Sequence, residues 1–176
     1  MASKGGEPMS RPAAIIPEFH FSAMTEEDGA DIAEWRYPPP YDLYRWPSWE
    51  QMVAQGKEFG DPHIRAKQYT SIRDERGRLI GYAQFFPMVG VVRLGLGLHP
   101  DCCDRGWGTA FTQAIVREAA RRSPNSEIDL EVETWNKRAI RTYKRSGFVI
   151  TDKYKRQAFH KTVTIYCMTL RKDKIQ

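Results

Sequence analysis

Cysteine is scarce in this 176-residue chain: there are three, two of them the adjacent Cys102 and Cys103. So small and odd a set supports neither a disulfide framework nor the ligand spacing of a zinc site, and it suits a reducing cytoplasm. Long apolar runs are missing as well. None approaches the ~20 residues of a membrane span, and residues 1–17 hold no apolar stretch of signal-peptide length. There is no internal repeat and no low-complexity tract. Two nucleotide fingerprints are also lacking. No Gly-Lys-Ser/Thr follows Gly108, so no lysine is placed for a γ-phosphate, and the second glycine pair of the dinucleotide pattern is absent.

What is present is 41% hydrophobic and 28% charged residues, enough for one well-buried core and little for two. We therefore expect a single domain over residues 18–176, preceded by a loose tail, 1–17, rich in Gly, Ser and Pro. Charge is uneven. Residues 136–176 carry twelve Lys/Arg against Asp152 and Asp173, a local +10, and the rest sums to −5. Nucleic-acid binding is one reading of that bias, but no aromatics are interleaved with the basic residues in an RNA-binding pattern, which argues against it.

Periodicity predicts strands at 19–24, 67–72, 79–86, 91–98, 128–132, 148–155 and 162–170. Helices are expected after Thr25 and Ser48, each with capping-box spacing, and over 107–122 and 136–146, the last stopped by Gly147. Residues 37–47 hold too much proline for regular structure. The implied fold class is α/β with a mixed, largely antiparallel sheet flanked by helices.

The most informative segment is Asp104-Arg105-Gly106-Trp107-Gly108-Thr109-Ala110-Phe111. It joins the 91–98 strand to an amphipathic helix. A glycine turn there lets backbone N–H groups converge at a helix N-terminus, where the peptide dipoles favour an anion such as a pyrophosphate. Downstream, Asn136, Ala139, Tyr143, Gly147 and Phe148 form an Asn-x-x-Ala-x-x-x-Tyr-x-x-x-Gly-Phe pattern. In the 91–98 strand, alternation sets Arg93, Gly95, Gly97 and His99 on one face, where missing side chains permit close approach by a ligand or serve a twist.

These two motifs, in this order, resemble the GNAT superfamily of acyl-CoA-dependent N-acetyltransferases, tightly over residues 78–148. One departure is Cys103, where the family usually has Gln or Arg. The resemblance implies a GNAT-like fold, acetyl-CoA as cosubstrate with no metal, and an amine acceptor, either a small molecule or a protein N-terminus. It implies that Cys103, Asp104, Arg105, Gly106, Trp107, Gly108 and Thr109 form the diphosphate seat. Leu96 and Leu98 would lend backbone groups to the pantetheine arm, with Asn136, Arg138 and Tyr143 also at the coenzyme. Arg138, Arg141, Lys144 and Arg145 would draw its phosphates in, or are simply the solvated face of a basic helix. A homodimer is compatible with the family.

Acetyl transfer needs a proton taken from the ammonium, an oxyanion stabilised and a proton offered to the departing sulfur. Tyr143 is the candidate acid, against the alternative of a core tyrosine with a satisfied hydroxyl. Many members carry a glutamate on the fourth strand, yet no carboxylate lies between Arg93 and His99. Glu131, in a Leu-Glu-Val resembling that of members acetylating protein N-termini, is the possible base. It is equally one of a salt-bridged row with Asp129 and Glu133. His99 is held in reserve, and the Leu98 N–H is the oxyanion donor. Tyr37, Tyr41, Tyr44 and Trp46 are expected to wall the acceptor cleft, or else to pack on the core or a second subunit. A non-catalytic acyl-CoA sensor is the alternative function.

Overall fold

Alternating side chains along the central strands send apolar residues to both faces of one sheet, so the chain needs helices on each side to cover them. The computed structural model describes residues 14–158, 161–171 and 173. Its elements in chain order are β1 His20–Ala23, α1 Glu26–Ala33, α2 Trp49–Gln55, α3 Pro62–Gln68, β2 Tyr69–Arg73, β3 Leu79–Met88, β4 Val91–Leu98, α4 Gly108–Arg122, β5 Glu127–Glu133, α5 Lys137–Arg145, β6 Phe148–Ala158 and β7 Lys161–Leu170. The strands form a seven-stranded sheet in the order β1-β2-β3-β4-β5-β7-β6. Every neighbouring pair is antiparallel except β4 with β5, which α4 joins by a crossover.

The caps read from the sequence close as expected. Thr25 and Asp28 bond each other's backbone N–H at the start of α1, and Ser48 and Gln51 do the same for α2. Gly56 ends α2 with φ +56°, and Gly147 follows α5 with φ +102°. α3 is an element the periodicity did not indicate. Its seven residues are too few for an amphipathic repeat, and the signal was local: Asp61 caps the N–H groups of His63 and Ile64, and Pro62 sits in the first turn. The expected strand start at 67 therefore moves to Tyr69.

Two cores result, one on each face of the sheet. Beneath α4 and α5 lie Ile80, Leu94, Ile128, Leu130 and Met168, met by Phe111, Ile115, Ala119 and Ile140. Each fully buried large side chain contributes roughly 1.5–3 kcal/mol, so this inward row, more than intrinsic propensity, holds α4. The other face packs Met24, Ile32, Met52, Phe59 and Tyr69 beneath α1 and α2. On α2, Met52 is buried while its neighbour Val53 is 48% exposed. Of the expected tail, residues 1–13 lie outside the described residues. Residues 14–17 carry no regular structure, yet the Ile15 carbonyl accepts a bond from the Trp107 indole at 2.9 Å.

Candidate active site

The sheet comes apart at its centre. The parallel ladder between β4 and β5 runs from Val91↔Glu127 to Leu94↔Leu130 and no further. Beyond it, β5 pairs only with β7, and residues 95–98 of β4 pair only with β3. The His99 N–H donates to the Ile80 carbonyl on β3 at 2.8 Å. Alternation then turns the N–H and C=O groups of Leu96 and Leu98 the other way, into the gap. The Leu98 carbonyl there accepts a hydrogen bond from the Tyr37 hydroxyl at 2.9 Å.

The glycines of β4 serve a different neighbour from the one expected. A Cβ on Gly97 would fall 2.2 Å from the Tyr82 ring, and one on Gly95 would fall 3.1 Å from the Gln84 side chain. Their bare face thus admits protein side chains. The backbone edge of Leu96 and Leu98 is what remains for a ligand.

At the end of the gap, the turn before α4 is built for convergence of amides. Asp104 and Gly106 both have positive φ, +60° and +81°. The first return bond of the helix is Phe111 N–H to the Trp107 carbonyl, so the N–H groups of Gly108, Thr109 and Ala110 have no intrahelical acceptor. Around Gly106 the space for a Cβ is open except for Ala14, 3.1 Å away. A Cβ on Gly108 would fall 3.2 Å from Thr142 of α5, and the Ser146 hydroxyl donates to the Thr109 carbonyl at 3.5 Å, so α5 docks closely against this helix start.

The remaining side chains of the turn point elsewhere. Arg105 folds back to donate to the Asp101 carbonyl at 2.7 Å, with its guanidinium 5.4 Å from the Trp107 ring centroid. Cys103 aims its thiol at the Leu98 and His99 carbonyls, and burial pushes that thiol up from its ordinary value. Its neighbourhood is the strand end, not the amide cluster. Asp104 is exposed and pairs with Arg138 at 3.5 Å.

α5 brings the downstream motif to this gap. Asn136 is buried with both side-chain polar atoms in use: Oδ1 caps the Ala139 N–H at 3.1 Å, and Nδ2 donates to the Tyr44 hydroxyl at 3.0 Å. It therefore fixes the helix start and the aromatic loop. Arg138 lies with its guanidinium carbon 3.7 Å from the Tyr41 ring centroid, a cation–π contact. Tyr143 sits half-buried against Phe148, and among the described residues its hydroxyl has no hydrogen-bond partner. Burial first, then the nearby Tyr44 and Tyr82, push its pKa well above the usual phenol value, with Arg138 opposing. The phenol stays protonated at working pH and is a donor awaiting an acceptor.

Glu131 is already engaged. Alternation places it with Asp129 and Glu133 on the face away from α4 and α5, where it accepts from Arg93, from the Tyr154 hydroxyl and, at 2.7 Å, from Arg156. Arg93 also holds Asp129 at 2.7 Å. Of the two sequence readings, the salt-bridged row describes this geometry. His99 is a cap: its Nδ1 accepts the Asp101 N–H at 3.1 Å, so the neutral ring carries its proton on Nε2 and presents a donor. Its ring lies edge-on to Trp35, centroids 4.8 Å apart.

The expected acceptor wall is partly assembled. Tyr41 and Tyr44 gather around Trp135, with Tyr44 stacked on it at 5.9 Å and 18°. Trp135 itself was missed, although an aromatic directly before the Asn136 motif was its signal; its indole donates to Glu133. Tyr37 turns into the gap. Trp46 does not join them. It packs edge-on against Phe59 at 4.9 Å and near Tyr82 at 6.2 Å, where the second core claims its apolar area.

Comparison with known proteins fits this arrangement. The model of the acetyltransferase (GNAT) family matches residues 27–148. The chain belongs to the GNAT acetyltransferase family. Its reaction class is acetyl transfer from acetyl-CoA to an amine. No curated protein matches. Among solved structures, a spermidine N-acetyltransferase from Vibrio cholerae in complex with CoA and spermine is 13% identical, with a TM-score of 0.68 over 89% of this chain and 97% of its own. A chimera of that enzyme with hSSAT gives 0.71 at 14% identity over the same shares. A GNAT-family acetyltransferase from Bacillus anthracis gives 0.56 at 14%, covering 64% of this chain and 70% of its own. As a GNAT member the chain needs a place for coenzyme A, and the open edge of Leu96 and Leu98 together with the amide cluster at Gly108 fits an extended amide-bearing arm ending in phosphates. Among the described residues no cluster suits a metal ion, and no helix is long and apolar enough to cross a membrane.

Proposed function

We propose that this GNAT enzyme acetylates a small, cationic primary amine, with Tyr143 donating to the departing sulfur and the Leu98 N–H holding the developing oxyanion. Acetyl-CoA, when bound, supplies the acyl group as an activated thioester. Residues 104–109, through backbone amides more than side chains, seat its diphosphate, and Arg138 adds a positive charge beside them. The observation that carries the reading is the parting of β4 from β5 with an unpartnered Tyr143 hydroxyl nearby. A thiol with pKa near ~8.5 leaves readily as thiolate, so a hydrogen bond from a neutral phenol is sufficient help.

The acceptor class follows from the wall. Tyr41 already holds a guanidinium on its face, and Tyr44, Trp135 and Glu133 continue a surface of π-faces and negative charge that suits an ammonium. The Vibrio cholerae neighbour was solved with spermine, an amine of that description. Glu131 is assigned to holding Arg93 and Arg156, and the amine reaches the site after losing its proton to solvent.

A thiol-release assay with acetyl-CoA over polyamines, monoamines and N-terminal peptides tests this. Turnover is expected with polyamines and other dications first. Preference for peptide N-termini would replace the acceptor assigned here. Tight coenzyme binding without any turnover would favour an acyl-CoA sensor instead.

A further inference from the structure

A second concentration of charge lies on the flank of α4 and α5, away from the gap. A groove of about 680 Å³ is lined by Arg117 of α4, Lys144 and Arg145 of α5 and Arg171 after β7, over a floor that includes Val116, Phe148 and Ile150. Among the described residues, no carboxylate lines it. Among the described residues none of these four side chains has a hydrogen bond or ion pair, whereas one turn further along α4, Arg121 and Arg122 share Glu118 at 2.7 Å. Four like charges around one concavity raise a positive potential there, which a bound anion would lower.

Gln113 and Arg117 stand five and nine residues beyond Gly108, about 8–14 Å along the helix from the diphosphate seat. The two anion positions are therefore successive on the same helix, with Ser146 lining the groove and its hydroxyl meeting the Thr109 carbonyl of the seat. We propose that the groove is a second anion site, for a ligand bearing consecutive phosphate groups. Three of the four cations are guanidiniums, whose planar forks match pairs of phosphate oxygens. Charge density selects phosphate over an acidic protein segment. An extended peptide presents a carboxylate to one face only every second residue, about 7 Å apart, whereas linked phosphates place a charge on every unit within a groove of this size.

The test is calorimetric titration of sodium tripolyphosphate into the full chain saturated with coenzyme A. Binding is expected to persist with coenzyme bound. Arg117→Gln with Arg171→Gln should weaken it tenfold or more while coenzyme affinity stays within twofold; thermal melts confirm that the variant folds, and Lys144→Gln alone gives a smaller loss. A twelve-nucleotide single-stranded RNA distinguishes the source. If it binds and the double variant lowers its salt slope by roughly 1.4, the ligand is a nucleic-acid backbone; if only tripolyphosphate binds, it is a free condensed phosphate. Displacement by coenzyme A, equal affinity in the variant, or tighter binding of a polyglutamate of equal charge would each overturn the proposal. None of these readouts involves acetyl transfer, so the proposed reaction stands or falls separately.

Discussion

The Tyr143 hydroxyl is a donor without an acceptor, held in a setting that burial keeps neutral. Tyr143→Phe removes one oxygen and leaves the packing against Phe148, so kcat is expected to fall roughly 10²-fold or more while the coenzyme dissociation constant stays nearly unchanged. Steady-state rates alongside direct binding check this, and unaltered kcat would exclude the phenol from the chemistry. Glu131 makes the opposite case. Its carboxylate joins Arg93, Arg156 and Tyr154, so Glu131→Gln should lower stability by roughly 1–3 kcal/mol through weakened charged hydrogen bonds. The pH–rate profile should keep its shape. A displaced acidic limb in that profile would instead make Glu131 the base.

At the scale of elements, α4 joins two functions, since its inward face is core and its first turn is the proposed diphosphate seat. Gly106→Val puts a branched side chain at φ +81° and across the open flank of the turn. We expect coenzyme affinity to drop about tenfold, near ~1.4 kcal/mol, with helical circular dichroism unchanged; retained affinity would contradict the seat. This helix, its glycine turn and the caps of α1, α2 and α5 were legible in the sequence because each is local chemistry, a hydroxyl or amide three residues from its partner. α3 escaped because seven residues carry no period. The parting of β4 from β5 escaped for another reason: it is a matter of which edge pairs with which, and Leu94 and Leu96 look alike in sequence. Trp46 and Trp135 show the same limit at the site. Trp46 was expected in the wall and Trp135 was not, and only packing decides that Phe59 takes the first and Tyr44 the second.

For the whole molecule, the buried phenols set an alkaline boundary. Burial raises Tyr37, Tyr69 and Tyr143, and pushes Tyr82 up to about 12. A raised phenol means that the folded chain holds its proton more tightly than the unfolded one, where the value is near ~10. The stabilisation is complete below that value and is lost as pH rises towards the folded values. Melting temperature should therefore be flat from pH 7 to 9 and fall steeply by pH 11; a level curve through pH 11 would mean these hydroxyls reach water. The bond from Trp107 to the Ile15 carbonyl has a practical corollary, because it fastens the start of the described chain beside Gly106. A purification handle joined upstream lengthens the chain that enters beside this turn, so Michaelis constants for acetyl-CoA measured before and after its removal would differ if the turn lies on the proposed coenzyme path.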